Sequence, residues 1–140
     1  MSDALKFHFE VDGNDFTSAG HASVMVKKNL RQLGLPPEII RRVSIAMYEG
    51  EINMVIHANG GTADVEVTDE EITIILSDKG PGIPDIGLAM QAGYSTARDS
   101  IRNLGFGAGM GFPNMKKYTD YLNIDTVIGE GTTVTMKVKL

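Results

Sequence analysis

In the stretch MYEGEINMVIHA, Glu49 and Asn53 stand four residues apart, which puts a carboxylate and an amide on one face of a helix, about one turn from each other. Ordinary solvated helix surface is the plainer reading of that spacing. His57, a further turn on, reads as a helix-end residue near the negative end of the helix dipole. After the run EITIILS come Asp78, Gly80 and Gly82 in the pattern D-x-G-x-G. An aspartate leaving a buried strand, followed by backbone that a ligand can approach closely, suits a carboxylate accepting from the amino group of a planar base. Asp, Gly and Pro also make plain turns. In LGFGAGMGFPNMKK, glycine recurs at Gly105, Gly107, Gly109 and Gly111, and Pro113 stands where a helix would begin. Glycine is costly to order and packs nothing, so the segment reads as a backbone cradle for an oxyanion, its amides and helix start turned to phosphate, or else as a flexible loop.

Composition narrows the classes. The 140 residues are 42% apolar and fit one domain spanning 1–140. A net charge of −5 and no Lys/Arg cluster longer than a pair argue against direct nucleic-acid binding. The absence of cysteine removes disulfides, thiolate chemistry and cysteine-rich zinc sites. There is no signal-like start and no apolar run approaching the roughly 18 residues of a membrane span, so a soluble, cytoplasmic protein is expected. Walker A, G-x-G-x-x-G, HRD and DFG patterns are all missing.

The elements that must position these residues follow from periodicity. LKFHFEV alternates as a half-buried strand does. Asn14 or Asp15 is suited to cap a first helix running to Gly34, with Phe16, Ala19, Val24, Val26 and Leu30 on its apolar side. Residues 36–58 form a second helix, apolar on most sides and hence largely buried, that stops at Asn59-Gly60-Gly61. ADVEVTDEEITIILSD gives two strands about Asp69-Glu70, and the chain ends in two more, joined through residues 129–131. Blocks in this order predict an α+β fold, a helical layer against one mixed sheet, rather than a βαβ array.

Taken together, E49-x-x-x-N53, D78-x-G80-x-G82, G105-x-G107-x-G109 and G131-T132 resemble the ATP-binding boxes of the GHKL superfamily, over roughly residues 35–140. Within it, MYEGEINMVIHA and GAGMGFPNMKKYTD are similar to the anti-sigma-factor serine/threonine kinases of the RsbW, RsbT and SpoIIAB type. The resemblance implies a Bergerat fold, a two-layer sandwich with a mainly antiparallel sheet and helices on one face, with ATP and Mg2+ as cofactors. It implies that Asn53 holds Mg2+, that Asp78 accepts from the adenine amino group with support from Thr132, and that Gly80 and Gly82 border the base. Gly105, Gly107 and Gly109 would face the phosphates at the end of a lid over residues 93–109, and Glu49 would be the general base. An asparagine oxygen suits a hard ion that keeps most of its waters, and a carboxylate one turn away can reach a hydroxyl near the γ-phosphate.

The implied partner is a small regulatory protein of the anti-sigma-factor-antagonist type, with a sigma factor held or released; a homodimer is compatible. Histidine kinases commonly carry asparagine at the position of Glu49 and need a dimerisation helix with the phosphorylated histidine, and gyrase-like ATPases couple to a following domain; a free-standing phosphotransfer module is the simpler expectation. A non-catalytic ATP-gated binding module and an isolated histidine-kinase-like ATPase domain are the alternatives. Arg98 and Arg102 in the lid have two readings, balance for γ-phosphate charge or solvated surface.

Overall fold

The computed structural model describes residues 4–13, 20–58, 60–83, 90 and 111–140. Along the chain run β1 (Leu5–Asp12), α1 (His21–Gln32), α2 (Pro37–Ala58), β2 (Gly60–Val67), β3 (Glu71–Asp78), α3 (Gly111–Tyr118), β4 (Tyr121–Val127) and β5 (Gly131–Lys139). The strands form one five-stranded sheet in the order β1-β2-β3-β5-β4. Its four pairings are all antiparallel. This is the expected α+β architecture, except that the sheet among the described residues is wholly antiparallel where a mixed one is expected.

Period-two alternation decides which face the helices cover. Ala63, Val65 and Val67 of β2, Ile72, Ile74 and Leu76 of β3, and Val134, Met136 and Val138 of β5 all turn to one side and are buried. Each fully buried large aliphatic side chain contributes about 1.5–3 kcal/mol, so this shared face is the main source of stability. α2 lies across it as the central helix, packing on α1 at one flank and α3 at the other and touching β1, β2, β3 and β5. Its burial is as expected, with Val43, Ala46 and Met47 fully enclosed.

The inward place expected for Val24 is corrected. The described first helix runs His21–Gln32, and Asn14, Asp15, Phe16 and Ala19 lie outside the described residues. Its buried stripe is Ala22, Val26 and Leu30, at strict i, i+4 spacing, which leaves Val24 turned outward and 62% exposed. Gly60 and Gly61 do more than stop α2, since both already pair with β1, opposite Asp12 and Val11.

Candidate functional site

Glu49 and Asn53 both lie on the flank of α2 that meets α3, and both are half-buried. Asn114, in the first turn of α3, donates from Nδ2 to Glu49 Oε1 at 3.2 Å. One residue type makes the neighbouring contact possible: a Cβ on Gly111 would come within 2.8 Å of Asn53 Nδ2 and 3.1 Å of its Oδ1. The start of α3 therefore rests directly on the Asn53 amide. The helix is pinned deeper down by Met115, which is fully buried. At its far end Arg42 of α2 donates from Nε to the Tyr118 carbonyl at 3.1 Å and pairs with Asp120 at 3.5 Å. The Lys139 amide, and after it the Arg42 charge, hold the Asp120 carboxyl below the usual aspartate range against the opposing effect of burial.

A glycine sets the depth of Glu49 as well. Gly50 faces the sheet, and a Cβ there would collide with Leu76 and touch the Met115 sulfur. Glycine in a helix interior costs about 1 kcal/mol relative to alanine, and here it lets α2 sit closer to β3 than any side chain would allow.

Asp78 ends β3, where it is the register partner of Thr132. Its Oδ1 accepts from the Gly80 amide at 2.9 Å and the Thr132 amide at 3.1 Å. One oxygen of the carboxylate is thus fixed by backbone. Thr132 is buried, and its hydroxyl shares a 2.9 Å hydrogen bond with Thr126 of β4. Thr126 Oγ1 in turn accepts from the Ile83 amide at 2.9 Å, tying the segment after Asp78 to β4. Sequence reasoning missed Thr126, which reads as an ordinary strand threonine until the sheet order puts it beside Thr132. Gly80 packs where a Cβ would come within 2.6 Å of the Ala58 Cβ, at the end of α2. Gly82 adopts φ +84°, with the Val127 carbonyl 2.9 Å from where a Cβ would be. The Asp78 segment and the Glu49–Asn53 face consequently share α2 as their common spine.

Glu51 is the residue that sequence reasoning passed over entirely. It is 2% exposed, and its carboxylate reaches out of α2 to the start of α1. Oε2 accepts from the Gly20 and Ala22 amides at 3.0 and 3.2 Å, and Oε1 from the Ser23 amide at 3.0 Å. Gly20, the residue before α1, is left-handed and supplies no side-chain cap, so a glutamate from another helix meets the unpaired amides and the positive end of the dipole. The signal in the sequence is a charged residue within the largely apolar second half of the helix. Tyr48, beside Gly20, has its phenol pushed up by partial burial and then by the charges of Glu49 and Glu51. His57 lies in the last turn of α2, as expected for a helix-end residue.

Gly105, Gly107 and Gly109, the lid over 93–109, and Arg98 and Arg102 lie outside the described residues. Among the described residues no group of three His, Asp or Glu side chains gathers in a way that could hold a metal ion. A cation at this site would draw on the neutral Asn53 oxygen and on ligand oxygens and water, which is the donor set that Mg2+ accepts. Among the described residues no helix is long and apolar enough to cross a membrane.

Known proteins resemble this chain over most of its length. The chain is 34% identical over 125 residues to the anti-sigma F factor of Clostridium novyi, covering 85% of this chain and 84% of that protein. It is 32% identical over 108 residues to the serine/threonine-protein kinase RsbT of Bacillus subtilis, covering 74% and 75%. Among solved structures, the RsbU and RsbW domains of a Mycobacterium tuberculosis protein superpose with a TM-score of 0.66 at 17% identity, over 97% of this chain and 32% of that one, which is a likeness of fold. The model of the histidine kinase-like ATPase domain matches residues 14–138. With that match spanning nearly the whole length, the chain belongs to the histidine kinase-like ATPase domain family, within the GHKL superfamily.

Proposed function

We propose that this protein binds ATP with Mg2+ and transfers the terminal phosphoryl group to a serine or threonine of a small regulatory protein of the anti-sigma-factor-antagonist type, in the cytoplasm, and so governs whether a sigma factor is held or released. The observation that carries the reading is the state of Glu49. It is half-buried, and its one hydrogen bond among the described residues goes to a side chain on Oε1, so Oε2 remains to take a proton. Membership of the ATPase family supports the nucleotide, and the names of the relatives support the kind of chemistry.

Bound Mg-ATP supplies the electrophilic phosphorus, the leaving group and the cation that offsets its charge. In this reading residues 1–140 act as one domain. Glu49 accepts the proton of the incoming hydroxyl, and Asn53 gives its amide oxygen to the cation. Asp78, oriented through Oδ1 by the Gly80 and Thr132 amides, turns Oδ2 to the adenine amino group. Thr132 keeps that carboxylate in place, Gly80 and Gly82 border the base, and Gly105, Gly107 and Gly109 offer amides to phosphate. The test is to incubate the purified protein with labelled ATP, Mg2+ and the products of its neighbouring genes. Label on a serine or threonine of one of them is expected. Nucleotide binding with no transfer to any of them would move the assignment to an ATP-gated binding module, a role that the name anti-sigma F factor of the relatives also favours.

A further inference from the structure

We propose that Asn114 is the positioning residue for Glu49, holding its carboxylate in one orientation without setting a counter-charge beside it. The inference rests on the reading of Glu49 as the proton acceptor. The two residues are 65 positions apart in sequence and meet only because α3 packs on α2. Asn114 is itself held on both sides: Gly111, one turn earlier, abuts the Asn53 amide, and Met115, the next residue, is buried against Gly50. A glutamate side chain at a partly exposed position turns about three bonds, and a fixed donor on Oε1 removes most of that freedom. The chemical type of the donor matters too. A lysine or arginine in this place would form an ion pair, whereas a neutral amide orients the carboxylate without a counter-charge. The same first turn of α3 therefore sets both the Glu49 carboxylate and the Asn53 amide, and couples the two to the position of one helix.

The experiment compares wild type, Asn114→Leu, Asn114→Asp, Glu49→Gln and Glu49→Gln/Asn114→Leu in the full chain, with Mg-ATP as the probe. Nucleotide affinity and single-turnover phosphate release are measured for each. Asn114→Leu should bind Mg-ATP within about twofold of wild type and turn over about tenfold more slowly, the loss expected for one hydrogen bond to a charged group. It should cause no further loss in the Glu49→Gln background. Asn114→Asp keeps the shape, loses the donor and places a like charge beside Glu49, so it should be at least as slow. Full turnover in Glu49→Gln overturns the base reading and this inference with it. Lost turnover in Glu49→Gln beside wild-type turnover in both Asn114 variants overturns the inference alone, as does a parallel loss of affinity and rate, or an equal loss in both backgrounds. Where wild-type phosphate release is too slow to follow, the Asn114 side-chain amide signal in a nitrogen–proton spectrum decides. It should track the titration of the Glu49 carboxyl in wild type and stay flat in Glu49→Gln; a flat response in both overturns the contact.

Discussion

Glu51 and Glu49 are two residues apart on α2, and the helix sends one to each flank. Toward α1, Glu51 is buried and both its oxygens are taken up by three backbone amides. Toward α3, Glu49 is half-buried and, among the described residues, engaged by one side-chain amide. Asp78 falls between them, with Oδ1 accepting from two backbone amides and Oδ2 outside those bonds. How completely backbone amides take up a carboxylate is what sets the structural acid Glu51 apart from Glu49 and Asp78, the two acids proposed for chemistry. A motif alone cannot make that separation within EGEIN.

The largest effect that can break this contrast is on rate. Glu49→Gln should keep ATP affinity within a few-fold and lose phosphotransfer by about 10² to 10⁴, the usual contribution of a positioned base. A transfer assay checks it, and retained activity would place Glu49 beside Glu51 as structure. Glu51→Ala should do the opposite, lowering global stability by on the order of 3 kcal/mol, because three amides at the start of α1 lose a charged acceptor. Urea unfolding measures it, and an unchanged midpoint would show that the α1 amides find water instead.

The intermediate case, Asp78, should appear as nucleotide choice. An acceptor already fixed in direction meets the adenine amino group well and the guanine carbonyl badly, so GTP should bind about tenfold to a hundredfold more weakly than ATP. Equal calorimetric titrations would contradict that role.

The smallest effect belongs to acids on the uncovered face of the sheet. His8 contacts Asp64 at 2.6 Å and Glu10 at 3.4 Å, and these bonds raise its pKa above the ordinary 6.5. A raised pKa in the folded state means stabilisation that is complete below the unfolded value and disappears as pH rises through the folded one. Asp64→Asn should therefore lower the melting temperature slightly at pH 5 and leave it unchanged at pH 9, since the pair is exposed and screened.

Much of this was legible beforehand, because the alternation in β3 and β5 and the apolar length of α2 each have one reading as a half-buried sheet under a buried helix. The D-x-G-x-G and E-x-x-x-N spacings single out Asp78, Glu49 and Asn53 as candidates, and the structure puts the last two on the flank of α2 that meets α3. What stayed hidden depends on distance along the chain. Asn114 meets Glu49, Thr126 meets Thr132 across a strand pair, and Glu51 meets α1, and none of these contacts leaves a periodic trace. Val24 was misplaced for a related reason: an apolar residue in an amphipathic helix looks like core until the packing partner defines the stripe.

Gly50 bears on how this protein can be engineered. A consensus or propensity-based stabilisation would replace this interior helix glycine with alanine, expecting a gain of about 1 kcal/mol. Here the added methyl would run into Leu76, so the helix would have to lift from β3 or the leucine would have to move. Glu49 and Glu51 ride on either side of that position, so lifting the helix there would tilt a proposed catalytic group and a structural cap together. The position where thermostability looks cheapest to gain is thus the one where the two flanks of α2 are mechanically joined.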